Sequence, residues 1–211
     1  KTPTKFVRLL GEDFALFRTL EGELGLLAPR CAHRSTSLVQ GIPEQNGIRC
    51  AYHGWVYGLD GACVDMPNEP NEQFKGKVSV RSYHVEELGG VIFAYVGPDP
   101  APLLPRWDLL AWDNIGRRLT FTEVPANWLQ CQENSLDPVH VEWLHAYMGA
   151  YRSTDRNALA QRGSSLAHQK IGFDEFEYGI IKRRLLAGKD FDDDEWKEGH
   201  PVLFPNILLV G

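Results

Sequence analysis

Two short stretches of the chain pair a thiol with an imidazole: Cys31-Ala-His33 and, after sixteen residues, Cys50-Ala-Tyr-His53. Each pair is expected on its own tight loop, on neighbouring hairpins, presenting one thiolate and one neutral imidazole. Structural zinc accepts two Cys and two His, but its usual spacing pairs Cys with Cys and His with His. A two-iron, two-sulfide cluster has a better use for mixed pairs, with one iron taking both thiolates and the other both imidazoles. Replacing two thiolates by neutral imidazoles removes about two negative charges and raises the reduction potential above that of an all-cysteine cluster. The imidazoles would stay near the surface, where an electron can leave. Cys63 and Cys131 have no His at ligand spacing and read as small buried hydrophobes. A pair of disulfides is the weaker reading of the four cysteines, because a chain of this size does not need such staples.

A second constellation lies in QENSLDPVHVEWLHAYMG, with Asn134, Asp137, His140 and His145. On an ideal α-helix, five residues turn through about 140° and rise about 7.5 Å. His140 and His145 would then not share a face, although a metal beside one end of the helix is within reach of both. Asp137 and His140, at i and i+3, are neighbours, and a carboxylate there can hold the outer nitrogen of a ligating imidazole. The plainer reading of Asp137 is a helix cap before Pro138. Taken alone, two histidines in a Trp-rich helix are ordinary helix residues.

These side chains need elements to place them. The 211 residues suffice for one large domain or two small ones, with 43% hydrophobic and 24% charged residues as in an ordinary soluble globular protein. A net charge of −6 offers no basic face for nucleic acid, and no run of 18 apolar residues exists to span a membrane. Residues 5–97 carry short β-branched and aromatic runs with turn residues between them: KFVRLL, DFALFRT, LGLLAP, GIRCAY, WVYGLDG and GGVIFAYVG. That pattern predicts a small antiparallel sandwich or barrel. GPDPAPLLP follows, a stiff extended connection, and sets the expected domains at 1–105 and 106–211. Beyond it RRLTFTEVPA reads as a strand, and NWLQCQENSL and PVHVEWLHAYM as helices, with Pro138 in the first turn of the second. FEYGIIKRRLLAG and FPNILLVG read as later strands, and the acidic run DFDDDEWKE as a solvated loop. Lys1 opens in what reads as a strand and Gly211 follows an apolar run, so both ends look cut from a longer chain, and a missing signal peptide says little.

Cys31-x-His33-Arg34 with Cys50-x-x-His53-Gly54-Trp55 resembles the Rieske motif, and in this context it resembles Rieske non-haem iron oxygenases in particular. The D-x2-H-x4-H spacing of Asp137, His140 and His145 is similar to the mononuclear iron motif of the same family, and follows the first motif in the family's order. The phrases LGEDFALFRT, CVDMPNEP, VEELGGVIFAYVGP and HPVLFPNILLVG look most like the phthalate-dioxygenase-like and aromatic O-demethylase branch. The resemblance implies an α+β chain, an all-β Rieske [2Fe-2S] domain followed by the first part of a helix-grip-like catalytic domain. It implies that Cys31, His33, Cys50 and His53 hold the cluster, that Trp55 and Tyr57 pack around it, and that the Tyr57 hydroxyl can donate toward it. It implies that His140 and His145 hold a mononuclear Fe(2+) whose third, carboxylate ligand is not in this chain. Asp137 would bridge to a Rieske histidine of the adjacent subunit as an electron-transfer link, and Asn134 is a further catalytic candidate.

The implied activity is O2-dependent hydroxylation or O-demethylation of an aromatic or similar small organic acid, in the cytoplasm, by a homotrimer or stacked trimers. A separate reductase using a nicotinamide cofactor would supply electrons, since the chain has no G-x-G-x-x-G fingerprint. Two alternatives stand beside this: a Rieske-type electron carrier, which has no need of the second constellation, and a zinc-stabilised binding module.

Overall fold

The computed structural model describes residues 3–71, 73–153 and 167–209, and the chain divides into two compact units, Lys1–Leu119 and Thr120–Gly211. In the first unit, β1 (Thr4–Leu9), β2 (Glu12–Arg18) and β3 (Leu24–Leu27) lead to a four-stranded sheet of β4 (Ile42–Pro43), β5 (Gly47–Arg49), β6 (Val56–Gly58) and β7 (Cys63–Asp65). β8 (Ser82–Leu88) and β9 (Val91–Tyr95) return to complete a five-stranded sheet ordered β1-β2-β3-β8-β9, and every pairing in both sheets is antiparallel. The expected antiparallel sandwich is therefore the observed one. Strand alternation explains it locally. In β2, Ala15 and Phe17 face a core shared with Leu27, Leu38, Ile48 and Tyr57, while Phe14 on the opposite face meets Tyr83 edge-on at 4.7 Å. The β8–β9 hairpin turns on Gly89 and Gly90, with φ of 60° and 83°, the pair of positive values that a two-residue hairpin demands.

The proline-rich segment is not the seam between the units. Residues 106–119 stay with the first: Arg106 pairs with Glu86 at 3.2 Å, Trp107 lies 5.7 Å from Phe93, and α1 (Asp108–Ala111) brings Leu110 against the backbone of Gly89.

The second unit opens without regular structure over 120–126, so the strand expected from RRLTFTEVPA does not form; Phe121 is 90% exposed, and an apolar strand with no sheet to join has nothing to pair with. α2 (Trp128–Leu136) starts where Asn127 caps it, the side chain accepting from Gln130 N at 3.1 Å. A π-helix, Val141–Tyr147, runs into α3 (Met148–Arg152). The sheet that follows is antiparallel, in the order β10 (His168–Phe176), β11 (Gly179–Leu186), β12 (His200–Leu203), β13 (Ile207–Leu208). FEYGIIKRRLLAG thus contains the end of β10 and a turn before its own strand begins. The acidic run is not all solvated loop. Asp193 caps a one-turn helix, α4 (Asp194–Lys197), and Glu195 of that turn engages Arg184 at 2.5 Å and His200 at 2.8 Å. The buried Arg184 of β11 and His200 of β12 draw one carboxylate of the run inward, and Asp190 and Asp192 remain exposed. Strands and helices together make the α+β chain expected.

Candidate metal centres

The two thiol–imidazole loops close in the same way. Cys31 N donates to Thr36 O at 2.9 Å and Ser35 N to Cys31 O at 2.9 Å; Cys50 N donates to Trp55 O at 2.8 Å and Gly54 N to Cys50 O at 3.0 Å. The fourth residue after each cysteine is left-handed, Ser35 at φ 55° and Gly54 at φ 78°. The arginine before each cysteine then ties the turn down: Arg30 donates to Ser35 O at 3.2 Å, and Arg49 to Gly54 O at 2.6 Å. Arg49 is itself held by Glu44 at 2.5 Å and Asp65 at 2.9 Å, which keeps its guanidinium charged. Only the second loop is the tip of a hairpin, between β5 and β6; the first is the crossing from β3 to β4, which brings it opposite from the other sheet.

The two loops bury their thiols and expose their rings. Cys31 and Cys50 are neighbouring free thiols, each 2% exposed. His33 and His53 lie outside, with ring centroids 4.6 Å apart. Trp55 stacks on His33 at 4.6 Å, and Tyr52 leans on His53 at 3.8 Å. Beneath them Tyr57 is fully buried; Ala32 N donates to its Oη at 3.0 Å, and Oη sits 3.2 Å from Cys31 Sγ. Burial, then the neighbouring Cys31, pushes the Tyr57 phenol far above its ordinary range, so it keeps its proton and can donate to sulfur. Burial also pushes the Cys50 thiol up, so a bound cation is needed to favour the thiolate. Desolvation, followed by the charges of His53 and Arg34, lowers His33, which favours the neutral imidazole that a metal requires. Two adjacent buried thiols below two adjacent exposed imidazoles fit a single two-iron group with unlike ends.

Gly54 carries a local prediction. Gly54→Ala is expected to cost about 1–2 kcal/mol for its left-handed backbone. A new Cβ would also meet Pro67 at 3.2 Å. A lower melting temperature with reduced iron and sulfide per chain checks it.

The second constellation is assembled by an unexpected helix type. α2 stops at Leu136; Asp137 caps its C-terminus, and Asp137 Oδ1 accepts from Val139 N at 2.8 Å. The next segment is a π-helix, whose hydrogen bonds run from i to i+5. Its wider turn brings residues five apart closer to one face than an α-helix would, and the His140 and His145 rings meet at 5.2 Å and 68°. Asp137 Oδ2 lies 3.3 Å from His140 Nδ1. That is ion-pair range without hydrogen-bond alignment, and Nδ1 is a buried nitrogen with no hydrogen-bond partner. With the carboxylate facing Nδ1, the other ring nitrogen is the one that would hold a metal, so the pair fits an ion held by two imidazoles. Among the described residues no group of three His, Cys, Asp or Glu encloses one ion.

Comparison with known proteins agrees with this geometry. Residues 1–84 match the family model of the Rieske [2Fe-2S] domain. The chain is 39% identical to the 5,5'-dehydrodivanillate O-demethylase oxygenase subunit of Sphingobium sp., over 99% of this chain and 49% of that one. It is 36% identical to phenoxybenzoate dioxygenase subunit alpha of Ectopseudomonas oleovorans, over 98% of this chain and 52% of that one. Residues 1–84 thus form a Rieske [2Fe-2S] domain, and the similarity to these oxygenase subunits runs along nearly the whole chain. The chain spans about half the length of the curated relatives it matches. Among solved structures, the oxygenase in a ferredoxin complex of carbazole 1,9a-dioxygenase is 31% identical over 68% of this chain and 38% of that one, with a TM-score of 0.54.

Around the Rieske domain's two loops the structure brings Cys31, His33, Cys50, His53, Trp55 and Tyr57 into one cluster, and it brings Asp137, His140 and His145 into another. Asn134 is exposed on α2. Cys63 is buried as expected, but Cys131 is exposed, because it sits on a face of α2 that the described residues leave open. Sequence reasoning missed Arg30 and Arg49. Their signal was available, since Arg-Cys opens both motifs. It also missed Glu142 and His168, partners 26 residues apart, which no local pattern announces.

Proposed function

We propose that the chain supplies the Rieske domain and the iron-binding histidines of an oxygenase component that hydroxylates or O-demethylates an aromatic or similar small organic acid. The observation that carries this is the presence, in one chain, of both the thiol–imidazole loops and the His140–His145 pair, of which an electron carrier needs only the first. The relatives named as O-demethylase and dioxygenase oxygenase subunits favour an aromatic substrate. When bound, a [2Fe-2S] group at Cys31, His33, Cys50 and His53 would supply one-electron chemistry, and Fe(II) at His140, His145 and a carboxylate from elsewhere in the protein would supply O2 activation.

The chain's own residues prepare both sites. Tyr57 donates to the Cys31 sulfur, drawing charge from it and favouring the reduced state. Trp55 covers one face of His33, leaving the ring edges of His33 and His53 toward an open concavity of about 490 Å³ shared with Tyr52, Pro67, Asn68 and Glu69. That is the face for electron exchange. Asp137 orients His140 from Nδ1, leaving Nε2 for the metal. Its carboxylate has acceptor capacity left beyond Val139 N and His140, enough to take a hydrogen bond from His33 or His53 of an adjacent subunit. This reading carries with it a homotrimer or stacked trimers, a separate electron-donating reductase that uses a nicotinamide cofactor, and a cytoplasmic setting. A ferredoxin complex among the structural relatives is in keeping with the partner, and no helix of the described residues is long and apolar enough to cross a membrane.

The test is a single turnover of the full-length protein, chemically reduced and mixed with O2 and a panel of methoxylated and unsubstituted aromatic acids. Hydroxylated or demethylated product is expected. Reoxidation without product from any of them would return the chain to the electron carriers. In the same experiment Asp137→Asn keeps the size and part of the cap but drops the charge and one acceptor. Both metals should be retained, with substrate-dependent reoxidation slowed by orders of magnitude; wild-type reoxidation would leave Asp137 as a cap alone.

A further inference from the structure

His140 and His145 meet only because residues 141–147 wind as a π-helix. Such turns are rare, recur at functional sites, and compete with the ordinary α-helix that the same residues could form. Something outside the segment must therefore hold it. Glu142, the segment's single carboxylate, reaches the first residue of β10: its Oε2 accepts from His168 N at 3.2 Å and lies 3.0 Å from His168 Nδ1. The His168 side chain is 6% exposed and that of Glu142 17%. Two hydrogen bonds thus converge on one oxygen largely out of water, where a carboxylate–imidazole contact is strong and where breaking one side strands the other. His168 Nε2 is buried without a hydrogen-bond partner, so among the described residues Glu142 is the one anchor of the ring.

We propose that Glu142 and His168 are positioning residues for the mononuclear metal: their clasp pins the π-turn to the sheet and thereby sets the spacing of His140 and His145. The proposal rests on the assignment of those two histidines as ligands. Loss of partners bonded to the ligands themselves weakens metal sites by about 10–100-fold, and a clasp that sets the spacing of both ligands is expected to act in the same range.

The experiment titrates Co(II) into full-length protein stripped of mononuclear iron but retaining the Rieske signal, by calorimetry and by high-spin Co(II) electron paramagnetic resonance. Glu142→Leu is expected to bind Co(II) about 10–100-fold more weakly, with an altered Co(II) spectrum and an unchanged Rieske signal. His168→Asn, whose amide N–H can replace the Nδ1 donor, should bind close to wild type. If Glu142→Leu does not fold, Glu142→Gln, which keeps the shape and drops the charge, carries the test at about tenfold. Wild-type affinity and spectrum in a folded Glu142 variant overturn the clasp. Wild-type Co(II) binding by His140→Ala instead overturns the ligand assignment beneath it.

Discussion

Cys31→Ser is expected to yield colourless or weakly coloured protein without the reduced-state Rieske paramagnetic signal, and with iron and inorganic sulfide lost together. The hydroxyl that replaces the thiol is a poor ligand for this iron. It would also be left in a site 2% exposed, beside the Tyr57 hydroxyl and the Cys50 thiol. Neither neighbour compensates, because burial pushes both the Tyr57 phenol and the Cys50 thiol toward their protonated forms. His53→Ala should remove the same signal from the exposed end of the site. Stoichiometric zinc in the wild-type protein, with no visible absorption, would overturn the whole assignment. In the intact protein the reduction potential should fall as pH rises. An imidazole on the oxidised cluster sheds its outer proton more readily than on the reduced one, so high pH favours the oxidised state.

His140→Ala should abolish turnover of the full-length protein and empty the mononuclear site, while the Rieske signal remains at wild-type intensity. The separation is expected because the two sets of residues fall in different compact units, Cys31 to Tyr57 in the first and Asp137 to His145 in the second. The ring has a carboxylate at hand to orient it: its buried Nδ1 lies 3.3 Å from Asp137 Oδ2. Alanine removes one of two imidazoles, and the remaining His145 is exposed with no second ring to share an ion. Turnover at the wild-type rate would show that His140 is no ligand. Iron analysis beside the paramagnetic signal distinguishes a lost metal from a lost fold.

The sandwich was legible because strand alternation is local. Ala15 and Phe17 declare the buried face of β2 by their spacing, and Gly89-Gly90 declares the turn by the backbone only glycine adopts freely. Where a pattern had no partner it misled. RRLTFTEVPA has strand composition, yet no strand forms where no neighbour offers hydrogen bonds. Cys131 is apolar enough to bury, but burial depends on what lies above α2. The acidic run looked like solvated loop until Arg184 and His200, brought close by the pairing of β11 and β12, drew Glu195 inward.

The chemistry divides along the same line. Cys31, His33, Cys50 and His53 stood out in the sequence as candidate ligands, since each thiol–imidazole pair lies within one loop and short loops have few ways to close. That the loops mirror each other, with Ser35 and Gly54 in the same left-handed conformation under Arg30 and Arg49, needed two sheets to face them together. His140 and His145 were visible as residues, but an ideal α-helix would have turned them apart. Sequence determined which side chains were available; tertiary structure decided that they meet. Helix type at marginal positions is set by contacts from outside the helix, here from a strand beginning 26 residues beyond Glu142.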